Sequence, residues 1–144
     1  MYQLIWQLTL GSAVIAVAIA IQASMIGVAA MFRPHVARRL HRVKLSTMTL
    51  VISISALWML AGMTVSVWAW AVTLRIAGAF DGLEPALYFA LASYTTLGFG
   101  DLLPPQEWRI LGAMIGANGM LGFGLATAAM VEFITRLRDD LASR

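Results

Sequence analysis

Glycine recurs at alternate positions in Thr95-Thr96-Leu97-Gly98-Phe99-Gly100-Asp101, with a pair of hydroxyls before it and a carboxylate after it. Gly98 and Gly100 can reach φ > 0, which a Cβ penalises, so the segment is able to turn its carbonyl oxygens to one side. Carbonyls arranged in this way around an axis replace the water shell of a cation. The chemistry on offer is coordination, without covalent steps. The residues for other chemistries are missing: cysteine is absent, both histidines (His35 and His41) sit in one basic stretch, and no glycine loop has the lysine of a phosphate cradle. Neither an enzyme nor an organic cofactor is expected.

The segment must be held by membrane elements. Of the 144 residues, 60% are hydrophobic and 12% charged, and the mean hydropathy is +0.82, values foreign to a soluble domain. A spanning helix needs about 20 apolar residues. Three runs are long enough: Leu4 to Phe32, Leu45 to Ala79 and Ile110 to Ile134. Met1 to Gln7 carries no Lys or Arg, which argues against a secretory leader and for a retained first helix. A fourth apolar run, Pro85 to Tyr94, is about half a span.

Arg33, Arg38, Arg39, Arg42 and Lys44 lie between the first two spans, and the positive-inside rule makes this loop cytoplasmic. The N-terminus is then outside and the C-terminus, with Arg136, Arg138 and Arg144, inside, in a plasma (inner) membrane. The basic segment Arg33 to Lys44 suits anionic lipid headgroups better than nucleic acid, and His35 and His41 could titrate there near neutrality. Asp81, Glu84, Asp101 and Glu107 fall on the outside, against Arg75 and Arg109, and favour cations at that face. Trp6, Trp68, Trp70 and Trp108 fit an outer aromatic belt. The second run exceeds what a bilayer requires, so its outer end should project or break. In the first helix, Ser12, Ala16, Ala20 and Ser24 recur every four residues and offer a small-residue packing face, and Gln22 lies deep enough to want a protein partner.

Irregular backbone at membrane depth survives only when buried in protein or lining a water-filled path. The half-span run that leads to Thr95 starts well as a helix, with Pro85 in its first turn and Glu84 at the positive end of its dipole. Its other end points toward the membrane centre. This order of half-span helix, Thr-x-Gly-aromatic-Gly-Asp and full span resembles the pore loop of potassium channels. Phe99 stands where tyrosine is commoner, and Gly-Phe-Gly-Asp is similar to the filter of two-pore-domain and some voltage-sensitive members. The resemblance covers about Glu84 to Ile134. It implies that the carbonyls of Thr96, Leu97, Gly98 and Phe99, with Gly100 and the Thr96 hydroxyl, form successive potassium sites, and that Asp101 lies at the outer mouth. One chain supplies one strand, so the resemblance implies a homotetramer.

The fold expected is all-α membrane: three transmembrane helices plus a re-entrant pore helix and filter between the second and third. Residues 1–44 form a peripheral helix and basic loop, and 45–144 the pore domain. The last span would be the inner helix. Gly116 or Gly119 is its candidate hinge, though its glycines could equally serve close packing. Asn118 is its strongly polar mid-span residue, which either lines a cavity below the filter or bonds between helices. Tyr88, Phe89 and Tyr94 are read as packing residues around the filter. Potassium is the expected permeant ion, and the alternatives are a weakly selective cation channel or a non-conducting accessory protein.

Overall fold

The computed structural model describes the backbone of residues 1–39 and 45–142, and side chains outside 33–47 and 140–144. The basic segment Arg33 to Lys44, with His35 and His41, and Arg144 therefore carry side chains outside the described residues. Among the described residues four α-helices follow in chain order: α1 (Tyr2–Arg39), α2 (Leu45–Ile76), α3 (Leu83–Tyr94) and α4 (Arg109–Ala142), the last entered through a 3-10 turn at Gln106–Trp108. Three of them contain stretches long and apolar enough to cross a membrane: Tyr2–Phe32, Met48–Ile76 and, including the 3-10 turn, Gln106–Asp139. The helical backbone of α1 continues past its apolar stretch to Arg39, so much of the basic stretch read as a loop is helix.

The end of α2 is built by a named device. Gly78 takes φ 79°. Its N-H donates to the Arg75 carbonyl at 3.3 Å and the Ala79 N-H to the Leu74 carbonyl at 3.0 Å, the paired bonds of a Schellman cap. The helix formed by the long second run therefore breaks here, three residues before the run itself ends. Ala79 and Phe80 then turn back into the core. Gly82, extended at φ −127°, opens α3 as its N-cap. Twelve residues make α3 about 18 Å long, little over half the hydrocarbon thickness.

The directions of the helices follow from their contacts. Gln7 and Gly11 meet Leu111 and Met114, while Ile26 and Ala29 share a pocket with Ala129 and Phe133, so α1 and α4 run in the same direction. The Trp58 indole N-H donates to the Met25 carbonyl at 2.9 Å, and Gln22 meets Gly62, so α2 runs against α1. Helix α3 lies alongside the first half of α4, with Phe89 at Gly112 and Tyr94 at Gly119 and Gly122. The core is centred where α2, α3 and α4 meet, on Trp70, Leu74, Ala86, Ala90, Tyr94, Leu111 and Ile115.

Two readings of the sequence are corrected. Trp70 is not a belt residue: it is 0% exposed, whereas Trp68 remains half exposed. Two positions apart on a helix is about 200° around it, so the pair cannot share one face. The stripe Ser12, Ala16, Ala20 and Ser24 faces outward. Among the described residues of α1 the buried ones are Gln7, Gly11, Ala18 and Gln22.

Candidate functional site

The filter-like segment begins as the ending of α3. The Thr95 N-H donates to Leu91 and the Thr96 N-H to Ser93, both at 3.0 Å. The N-H groups of Leu97 and Gly98 share the Ala92 carbonyl, at 2.9 and 3.2 Å. The Thr95 hydroxyl donates to Leu91 at 2.8 Å, whereas the Thr96 hydroxyl has no hydrogen bond among the described residues. The last carbonyls of the helix are thereby satisfied by the amides of the segment that follows. Those amides face inward to α3, which leaves the segment's own carbonyls free.

Beyond this anchor the backbone alternates in hand. Thr96 (φ 59°), Gly98 (φ 56°) and Gly100 (φ 76°) are left-handed, and neither Leu97 nor Phe99 is. In an ordinary strand successive carbonyls point to opposite sides, and alternating the sign of φ brings them toward one side. For two of the three positions glycine makes this inexpensive. Thr96 is the one non-glycine with positive φ among the described residues, a strained state of the kind that persists where the surroundings impose it. Nothing in the residue type signals that conformation at Thr96.

The far end of the segment is tied to α3 as well. The Tyr88 hydroxyl donates to Asp101 Oδ2 at 2.7 Å, and this bond to the carboxylate raises the phenol above its ordinary value. Tyr88 is thus more than packing: it is the strut between α3 and Asp101. Between the segment, α3 and α4 lies an open cavity of about 580 Å³, lined by Ser93, Thr96, Gly98, Asp101, Gly112 and Gly116 among others. Leu97 and Phe99 stand 58% and 68% exposed on the single chain.

On α4 the sequence candidates separate. Gly119 is a close-approach position, where any Cβ would overlap the Tyr94 carbonyl oxygen. At Gly116 a Cβ would meet only the Ser93 carbonyl oxygen, at 3.5 Å. Asn118 is 2% exposed inside the chain, with its Nδ2 unpartnered, and so lies off the exposed face that carries Ala117, Met120 and Leu121. The Tyr94 ring, buried against α4, tilts on Phe123 with centroids 6.1 Å apart, and its hydroxyl sits where a Cβ on Gly122 would overlap it.

The ion channel family model matches residues 47–136, which takes in α2, α3, the alternating segment and most of α4. The chain belongs to the ion channel family. No solved structure matches it. With three spanning-length helices, this channel is an integral membrane protein. The family match begins after α1, so the channel carries a helix outside the matched region. Gln7 is a residue of that helix that the sequence reading passed over. Its signal was available as an amide in an apolar helix.

Proposed function

We propose that the channel is potassium-selective and that four copies form its pore. The observation that carries this reading is the left-handed backbone at Thr96, Gly98 and Gly100, with the amides of Thr96, Leu97 and Gly98 turned away into α3. Such a strand offers the carbonyls of Thr96, Leu97, Gly98 and Phe99, with the unbonded Thr96 hydroxyl, to one cation after another. Each carbonyl dipole replaces a water of hydration, and spacing along one path lets neighbouring ions repel one another onward. Asp101, held by Tyr88, would raise the cation concentration at the mouth.

The requirement for further copies has its own support. Irregular backbone with exposed Leu97 and Phe99 cannot face lipid, because its polar groups would be unsatisfied there. Rotational copies would cover these side chains and close the ring of oxygens. In this reading the Asp101 end lies outside the plasma membrane and the N-terminus with it, the C-terminus is cytoplasmic, and the basic segment Arg33 to Lys44 holds anionic lipid headgroups.

The test is potassium flux into liposomes holding the purified protein, together with reversal potentials in potassium against sodium gradients. The expected result is a barium-sensitive, potassium-selective current that Gly98→Ala abolishes, since a Cβ at φ 56° costs about 1–2 kcal/mol before any loss of carbonyl alignment. Equal permeability to sodium would sink the potassium reading. Flux indifferent to Gly98→Ala would sink the filter itself.

A further inference from the structure

Gln7 is 5% exposed and, with Gln22, is one of two amides buried in the apolar stretch of α1. Its Oε1 accepts the Leu111 backbone N-H at 3.1 Å, and its Nε2 reaches back to the Gln3 carbonyl at 3.5 Å. Leu111 lies in the first turn of α4, where backbone N-H groups lack a full set of helical partners. A side chain from a different helix supplies the acceptor. One residue earlier on α1, Trp6 meets Trp108 edge to face, with centroids 5.7 Å apart. One turn later, a Cβ on Gly11 would lie 3.3 Å from Leu111 Cδ1 and overlap the Met114 thioether. Trp6, Gln7 and Gly11 of α1 therefore grip the 3-10 turn and the first turns of α4, at Trp108, Leu111 and Met114.

That start is also the wall behind the alternating segment. Next to Leu111 is Gly112, against which the Phe89 ring of α3 is seated so closely that a Cβ would lie 2.9 Å from Cζ. Gly112 and Gly116 line the same cavity as Thr96, Gly98 and Asp101. We propose that Gln7 is a positioning residue for conduction, which fixes the start of α4 through the Leu111 amide and so sets the wall that backs the filter. This rests on the filter reading above, and α1, which lies outside the family match, is the part of the chain that supplies it. A buried amide donor left without its acceptor would seek water or another partner, and the start of α4 would shift with it.

Two variants separate the hydrogen bond from packing. Gln7→Met is similar in size and lacks the oxygen acceptor; Gln7→Glu keeps an acceptor and sets negative charge at the positive end of α4. Both are recorded as single channels, at matched oligomeric state by size exclusion, and followed by hydrogen exchange over residues 109–116. Gln7→Met is expected to change open dwell time or the potassium to sodium permeability ratio roughly five-fold, the scale of one buried hydrogen bond, and to speed exchange at the start of α4. Gln7→Glu is expected to stay near the parent in both. Should Gln7→Met fail to assemble, Trp6→Leu loosens the same joint and is expected to shift gating in the same direction. Parent-like dwell times, permeability and exchange in Gln7→Met would overturn the proposal, as would equal shifts in the Met and Glu variants, which would make Gln7 packing alone. A parent without selective current would instead refute the filter reading, and the exchange rates of the two variants then decide the joint on their own.

Discussion

Replacing Gly119 by alanine tests how tightly α4 is pressed against the end of α3. A Cβ there would overlap the Tyr94 carbonyl oxygen and lie 2.7 Å from the carbonyl carbon and 3.0 Å from Cα. Ordinary contact begins at 3.4 Å, so the carbon alone demands a retreat of about 0.7 Å, and the oxygen demands more. The obstacle is backbone, which has no rotamer to yield. Overpacking of this kind costs about 1–3 kcal/mol, against a gain of about 1 kcal/mol from the better helix propensity of alanine. Gly116→Ala is the control, because its Cβ would meet the Ser93 carbonyl oxygen at an ordinary 3.5 Å and the propensity gain is the larger effect there. The assay is thermal unfolding of the detergent-solubilised oligomer, followed by permeability ratios of the same two variants in bilayers. Gly119→Ala should unfold at lower temperature and lose selectivity, because Tyr94 is two residues before Thr96. If Gly119→Ala matches Gly116→Ala in both measurements, the contact is not a constraint. If Gly116→Ala alters gating without loss of stability, bending at that glycine is the reason, since no clash is available to explain it.

Tyr88→Phe removes the 2.7 Å bond to Asp101 and is expected to destabilise the Asp101 end of the alternating segment, read as more frequent brief closures in single-channel records. The bond raises the phenol above its ordinary value, so its contribution is complete below the ordinary tyrosine value of 10.0 and is lost as pH rises through the higher value in the folded protein. An alkaline step in open probability, seen from the Asp101 side, should therefore be present in the parent and absent in Tyr88→Phe. Trp70→Ala should cost about 3–5 kcal/mol in chemical unfolding and Trp68→Ala far less, because the first is fully enclosed and the second half exposed.

The alternating glycines, the half-length helix and the three long runs were legible because each breaks or obeys a rule that lipid enforces: backbone polarity must be satisfied, and spans must be long. What escaped was which side of each span packs. Water sorts the faces of a soluble helix by polarity, but in a bilayer both faces are apolar and the contrast disappears. Hence Ser12, Ala16, Ala20 and Ser24 looked like an interface by size alone, while Gly11 and Ala18 were the residues enclosed. Trp70 escaped for a related reason, since tryptophan near a span's end is read as interfacial unless its angle around the helix is set against that of Trp68. Tyr88 and Gln7 escaped because their partners are 13 and 104 positions away. The left-handed Thr96 follows from the way α3 ends, with amides folding back onto Ala92 and Ser93, and no residue type encodes it.

The fold-back of those amides has a consequence for how a pore would be made. The backbone bonds that anchor the start of the strand join residues at most six apart, and the Tyr88 to Asp101 bond that ties its far end spans 13, all within one polypeptide, so local folding alone can order it. The conformational entropy and the strain at Thr96 are then met during the folding of each chain, before any neighbour arrives. Subunits would meet as finished parts, and association would have only to set distances across the axis. Damage to α3 should accordingly be felt as a defect in every strand, whereas damage to a contact between copies should leave each strand intact and merely misplaced.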